Sequence, residues 1–338
     1  MKVQKKKIGT HQNKNIYEYT VVNSFGIKLS IMNYGATITK LITKDKHGND
    51  KDIVLGFTDF NGYLQSENRY YGSTIGRYAN RLSNSQFVIN ETVYKLNPNN
   101  KKNSLHGGIN GFDKKIWDSN IDYFNNCISF FYKSVDMEEG YPGNLNVIVK
   151  FSLTNSNEVV IEYEAKTDKP TPVNITNHSY FNLSSKENTL INEHFLQIDS
   201  NYFLEVNSDL IPTGNFINVE NTRMDFRTFK KIQDDFDHNW VLNNTSGKIK
   251  LAATLYCDDS GRCMEIYTTL PGLQFYSGNK IIDCKNFTKN LHGYTKNSGL
   301  CLETQFFPDS PNHLSFPKTI LNPNDIYNHT TVYKFINQ

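Results

Sequence analysis

Alternation of apolar and polar residues, repeated along most of this chain, is what most limits the folds open to it. The clearest instance is Val159 to Ala165, where Val159, Ile161, Tyr163 and Ala165 fall on one face and Val160, Glu162 and Glu164 on the other. A period of two is that of a strand, whose side chains point alternately to opposite faces of a sheet. Ile27 to Asn33, Ala36 to Lys44, Cys127 to Val135 and Val147 to Leu153 share the habit. Leu251 to Tyr256 and Cys263 to Leu270 flank Asp258-Asp259-Ser260-Gly261, a turn sequence that predicts a hairpin. Only Thr58 to Gln65 and Thr228 to Asp235 predict short helices, with Thr58 and Thr228 as N-caps. Short strands, frequent turns and no βαβ rhythm give an all-β class, a large antiparallel β-sandwich.

The chain's 338 residues are ample for a large core, and 42 of them are Tyr or Phe (20 and 22), so a folded protein is expected rather than a disordered one. A formal net charge of +2 gives no electrostatic case for nucleic acid or an acidic membrane as the main partner. Lys5-Lys6-Lys7 leads into Ile8-Gly9-Thr10-His11 rather than an apolar run, so no secretory signal is expected, and no stretch has the length of a membrane span. Cys127, Cys257, Cys263, Cys284 and Cys301 are odd in number and lack a CxxC pair. They read as free thiols in a reducing, cytoplasmic setting, not as a disulfide frame or a zinc site. The polar run Asn97 to Asn103 reads as a loop within one domain covering residues 1–338, because strand-like sequence continues on both sides.

Reactive chemistry concentrates in Thr171 to Ser184, TPVNITNHSYFNLS. Pro170 and Pro172 hold its entry extended. A strand there sets His178 among amides and hydroxyls, with Tyr180, Phe181 and Leu183 adding apolar surface. That mixture suits a sugar, which has flat apolar faces, many hydroxyls and protons to move near neutral pH. Standing alone, such a histidine reads more simply as a core residue with satisfied nitrogens. Other stretches change the balance. Gly76 to Arg81 offers the guanidinium groups of Arg77 and Arg81 and the amide of Asn80; it lacks the spacing of a phosphate loop. Ser104 to Gly108 sets His106 before two glycines that allow close backbone approach. Phe236 to Trp240 carries Asp237 beside His238. Gly299 to Gln305 reads as a strand with Glu303 among apolar neighbours, a setting that raises a carboxyl pKa toward neutrality.

These pieces occur in order as IGRYANRL (75–82), NSLHGG with GFDKKIW (103–117), EEGYPGNL (138–145), TNHSYFNL (176–183), FDHNW (236–240), PGLQFYSGN (271–279) and LETQFFPDSPN (302–312). So ordered, the set closely resembles the aldose 1-epimerases, or galactose mutarotases, from Asn33-Tyr34-Gly35-Ala36 to Thr331 to Phe335. The resemblance implies one β-sandwich domain of the galactose mutarotase-like supersandwich type, an open cleft, no cofactor or metal, and a monomer or weak homodimer. By motif, His178 matches the proton donor and Glu303 the proton acceptor. Asn80, Arg81, His106, Asp237 and Gln274 match sugar-binding positions, with Tyr180 near them. No catalytic position is replaced. Cys284 to Ser298 departs most from the family pattern and bears on which aldose is preferred.

The implied reaction interconverts the anomers of a free hexose such as glucose or galactose. It needs one proton removed from the C1 hydroxyl and one delivered to the ring oxygen, so a carboxylate and an imidazolium suffice. In these roles His178 starts protonated and Glu303 ionised, and the acidic limb of the pH profile is expected to follow the carboxylate. Rival readings are a hexose 6-phosphate epimerase, separated by comparing free hexose with its 6-phosphate, and a non-catalytic sugar-binding or regulatory module, which would bind sugar without speeding anomer exchange. A glycosidase pairing Asp237 with Glu303 would release reducing sugar from a glycoside. A metal site of His106, His178 and Glu303 lacks a supporting ligand spacing.

Overall fold

The alternating stretches are strands, and every paired strand among the described residues is antiparallel to its neighbours. The structure is a computed structural model that describes residues 2–65, 70–244, 247–281, 287–290 and 292–337. A nine-stranded sheet forms its broadest layer, running in space from Asp118–Asp122 through Cys127–Ser134, Leu145–Leu153 and Glu158–Thr167 to Tyr327–Asn337. It continues through Arg262–Thr268, Lys250–Cys257 and His194–Ile198 to Lys230–Lys231. Residues 2–52 form a five-stranded sheet, and a second five-stranded sheet orders Pro212–Asn218, Ser200–Val206, Asp237–Leu242, Gly272–Tyr276 and Cys301–Gln305.

The period of two decides what each sheet buries. Val159, Ile161, Tyr163 and Ala165 are all buried, as the sequence pattern requires, and Val147, Val149, Phe151 and Leu153 lie beside them. They join one continuous apolar cluster with Leu29, Ile31 and Ile38 of the first sheet and Trp240, Leu273, Phe275 and Leu302 of the third. Burying such a side chain contributes roughly 1.5–3 kcal/mol, so this shared core holds the three sheets in fixed register. Lys250–Cys257 and Arg262–Thr268 pair across the expected turn.

Both helix expectations need correction. Within Thr58 to Gln65 only Phe60–Tyr63 is helical, and its cap is Asp59, whose side chain accepts the Asn61 N–H at 2.8 Å. Thr58 instead donates its hydroxyl to the Phe287 carbonyl. Thr228 to Asp235 forms no helix. Lys230–Lys231 pairs with Phe195 and Leu196 at the edge of the large sheet, and Ile232 is buried beneath it. Docking onto an open sheet edge supplies backbone partners that an isolated helical turn lacks, and the two lysines discourage further strand addition there. Cys127, Cys257, Cys263 and Cys301 are free and buried, whereas Cys284 lies outside the described residues, as does part of the Cys284 to Ser298 connection. No helix among the described residues is long and apolar enough to cross a membrane.

His194 shows the structural use of a buried imidazole. Its Nε2 accepts the Leu183 N–H at 2.8 Å, fixing the end of the His178 segment. Burial lowers its pKa from 6.5 to about 4, and burial does the same to His329. The unfolded chain therefore takes up protons that the folded chain refuses between pH 6.5 and 4. These neutral rings leave stability intact above pH 6.5 and erode it as pH falls toward 4. Thermal melts at pH 7, 6 and 5 should show a descending midpoint, and His194→Gln should flatten that descent while lowering the midpoint at pH 7. A midpoint constant across this range would contradict the assignment.

Candidate active site

Strand register gathers the acidic half of the site. Asn239 lies opposite Gln274, and Gln274 opposite Glu303. Residues two apart on a strand share a face, so Asp237, Gln274, Cys301 and Glu303 all project to one side of this sheet. The residues between them, Leu273, Phe275 and Leu302, turn the other way into the core. A single alternation thus anchors the strands on one face and arms them on the other.

The opposing half comes from the Thr171 to Ser184 segment. Thr176–Asn177 pairs with Thr74–Ile75, the His178 N–H donates to the Ser73 carbonyl at 2.9 Å, and the His178 carbonyl accepts from Gly72 at 3.0 Å. Phe181 exchanges two backbone hydrogen bonds with Leu300, which holds the segment against the Glu303 strand. A third piece forms where Arg81–Leu82 pairs with Ser104–Leu105. There Asn80 and His106 have left-handed backbones (φ 67° and 53°) and bond to each other twice, once through the Asn80 N–H donating to His106 Nδ1 at 3.1 Å. Gly107 is required beside them, since a Cβ would come within 2.0 Å of the Gly76 carbonyl oxygen.

Between these pieces lies a cleft of about 170 Å³ lined by Asn80, Arg81, His106, His178, Tyr180, Asp237, Gln274 and Glu303, so every residue matched by motif to a site position meets there. A larger hollow of about 370 Å³ lies beside Asp52 and Lys289, but those two charges neutralise each other at 2.7 Å. Arg77 lies outside the cleft. Its buried guanidinium holds the carbonyls of Pro142, Gly143 and Ser134, a structural tie. The structure adds Tyr70, Asn100, Tyr276 and Lys280 to the lining. Tyr276 and Lys280 lie in or beside the PGLQFYSGN run, and Asn100 lies in the polar loop, where it accepts from Arg81 Nε at 3.3 Å. Tyr70 has no signal in the sequence; its ring sits 4.8 Å from that of His106 and 5.6 Å from that of His178.

The polar groups fall into two kinds. Asp237 is held by donors already present: Gln274 Nε2 at 2.9 Å, Lys280 Nζ at 3.1 Å and an Arg81 nitrogen at 3.8 Å. Glu303 is not. Its Oε1 lies 3.7 Å from His178 Nε2, too far for a direct hydrogen bond, and its buried Oε2 has no protein partner. Burial raises the Glu303 pKa well above the usual carboxylate range, reinforced by Asp237 and opposed by Arg81. Burial likewise takes His178 down to about 4, with Asp237 pulling the other way. His106 is lowered by burial, then by His178 and Arg81.

His106, His178 and Glu303 each bring one possible ligand atom to within 4.8 Å of the others. The donor set does not fit a metal, because His106 Nδ1 is occupied by the Asn80 N–H. That bond keeps the proton of the neutral ring on Nε2, which makes His106 a donor toward the cleft with no lone pair to offer a cation.

The sequence profile of aldose 1-epimerase matches residues 17–334. The chain belongs to the aldose 1-epimerase family. It is 43% identical over 317 residues to galactose mutarotase from Bos taurus, with 91% of each chain covered. It is 35% identical over 331 residues to aldose 1-epimerase from Escherichia coli K12, with 94% of each covered. Its fold matches that of an aldose epimerase homologue from C. elegans with a TM-score of 0.87 at 30% identity, covering 94% of this chain and 98% of the other. A galactose 1-epimerase from Lactobacillus acidophilus aligns with a TM-score of 0.86 at 27% identity over 99% of both chains. Within this aldose 1-epimerase framework, titration with Zn²⁺ followed by imidazole NMR should leave the His106 and His178 signals unmoved. A saturable shift of both at micromolar Zn²⁺ would overturn the donor assignment of His106.

Proposed function

We propose that this protein interconverts the α and β anomers of free aldoses such as galactose and glucose, with Glu303 and His178 exchanging the two protons. Mutarotase activity is supported by 42–44% identity to mammalian galactose mutarotases across 91% of the chain. The roles of the residues rest on one observation: a buried imidazole and a buried carboxylate face each other 3.7 Å apart across an open cleft. That gap is too wide for the pair to satisfy itself and leaves each group aimed at whatever enters. We further propose that residues 1–338 act as one domain and one site per monomer.

Glu303 takes the proton from the C1 hydroxyl while His178 Nε2 gives one to the ring oxygen. The C1–O5 bond breaks and an open-chain aldehyde forms. Rotation about C1–C2 presents the other face of the carbonyl, and closure returns both protons. Arg81 and the His106 Nε2–H donate to oxygens that gain charge as the ring opens. Asp237 and Gln274 accept and donate to the remaining hydroxyls. The unpartnered Glu303 Oε2 and Gln274 Oε1 each cost on the order of 1–3 kcal/mol in the empty cleft, which a bound sugar hydroxyl recovers.

Burial also revises the expected order of titration. Burial raises the Glu303 carboxyl and lowers His178 to about 4, and both shifts favour holding the single proton of the pair on the carboxyl rather than on the imidazole. The ion pair that a cyclic sugar requires carries the same number of protons, so binding moves the proton without exchange with solvent. The one-proton state disappears below about pH 4, when His178 takes a second proton, and again above the raised Glu303 pKa. The acidic limb therefore follows the imidazole and the alkaline limb the carboxyl, the reverse of the order expected from the sequence. The rate should hold steady from neutrality down to about pH 5 and fall near 4; a loss centred at an ordinary histidine value near 6.5 would contradict this.

Polarimetry with calorimetric sugar binding tests the roles. Glu303→Gln and His178→Asn should each lower kcat by at least ~10²-fold with little change in affinity, as expected for lost proton transfer. Asp237→Asn should chiefly weaken binding, by about 1.5–3 kcal/mol. If Asp237→Asn abolishes turnover while Glu303→Gln only weakens binding, the two carboxylates have been assigned in reverse.

A further inference from the structure

The polar loop from Asn97 to Asn103 reaches the cleft at Asn100. Two neighbouring asparagines of the loop serve the backbone. Asn99 Oδ1 accepts the Leu105 N–H at 2.6 Å while its amide donates to the carbonyls of Leu105 and Gly108, and Asn103 Oδ1 accepts the Asn84 N–H at 2.9 Å. The Asn100 backbone exchanges two hydrogen bonds with that of Asn103, both 3.0 Å, so the loop does not need the Asn100 side chain to close. That side chain turns to Arg81 instead, and its Oδ1 accepts the Nε–H at 3.3 Å. At the other edge of the same guanidinium, Nη2 stops 3.8 Å from Asp237 Oδ2, beyond hydrogen-bond reach. Both side chains are largely shielded from water, with 9% and 15% of their surface exposed, so the open gap between opposite charges is only weakly screened.

We infer that Asn100 is a positioning residue that holds the Arg81 guanidinium off Asp237, so that both groups stay open to the sugar of the reaction proposed above. A shift of about 1 Å would bring Nη2 to the distance of a charge-assisted hydrogen bond with the carboxylate. Such a closed pair would turn guanidinium donors away from the cleft and cover an Asp237 oxygen, and an entering sugar would have to break it. The bond to Asn100 resists that shift because the guanidinium is planar and rigid, so a partner on Nε fixes the whole fork. Asp237 is held from its other sides by Gln274 Nε2 at 2.9 Å and Lys280 Nζ at 3.1 Å, which fixes the gap at both ends. An amide suits the task. Its oxygen accepts the Nε–H without bringing a negative charge of its own, and the charge on Arg81 remains for oxygens that gain charge as the ring opens.

A double-mutant cycle on galactose affinity, read by NMR titration to saturating sugar, tests the inference, because Asn100 and Asp237 are then coupled through Arg81. Asn100→Ala should weaken binding by about 10-fold, the scale of one hydrogen bond. Made in Asp237→Asn, which leaves Arg81 no carboxylate to close upon, the same change should weaken it by less than about 2-fold. Equal losses in the two backgrounds would overturn the inference. Asn100→Asp keeps an oxygen on Arg81 Nε and drops the amide nitrogen, and should bind galactose within about 3-fold of the wild type. A loss as large as that of Asn100→Ala would make the amide nitrogen the group that matters and would also overturn it. In protein without sugar, the Arg81 Nε–H signal should exchange with water at least about 10-fold faster in Asn100→Ala than in the wild type or Asn100→Asp, and an unchanged rate would count equally against the inference. These readouts stand apart from turnover: a wild type that fails to exchange anomers sinks the proposed function, while the exchange of the Arg81 proton still decides the role of Asn100.

Discussion

A carboxyl and an imidazole held 3.7 Å apart in a buried cleft form the constraint on which the rest depends. Neither group reaches the other, and the buried Glu303 Oε2 has no protein partner, so the folded chain carries that cost. Two separate anchors keep them from collapsing together. Leu302 binds the Glu303 strand into the core from its far face, and the paired hydrogen bonds of Phe181 with Leu300 fix the His178 segment alongside. The same burial that holds the pair also sets its protonation, since both groups prefer to be neutral in the empty cleft.

Where each partner of a cleft residue comes from explains the division of labour. Asp237 is surrounded by donors, which suits it to the proposed role of a fixed acceptor. His106 is fixed as a donor by Asn80. Glu303 keeps one buried oxygen unpartnered and His178 turns Nε2 toward it, which suits this pair to the proposed proton exchange. Chemistry is assigned here less by residue type than by what stands behind each side chain.

Much of this was legible in the sequence because it depends on a period of two. The buried faces of 147–153 and 159–165, the hairpin around Asp258 to Gly261 and the arming of Glu303 on a strand all follow from alternation. The ordered motifs named the cleft residues before any strand was placed. What escaped reading depends on contacts distant in the chain. The helix expected at Thr228 became a sheet edge because residues 195 and 196 offered backbone partners. The pKa shifts of Glu303 and His178, which bear on the expected order of titration, come from burial that neither neighbourhood shows locally. Cys301 looked like one free thiol among several until the fold set it against a residue 123 positions earlier.

The role proposed for this pair is to open and close a sugar ring and to do nothing else to it. Exchange NMR on the anomeric protons of galactose and glucose, with methyl galactoside as a control, tests it directly. Catalytic amounts of protein should transfer magnetisation between the α and β signals of the free sugars, while the glycoside, which has no C1 hydroxyl proton to give, stays unchanged. Free sugars that exchange no faster with protein than without it would contradict the account, as would release of galactose from the glycoside.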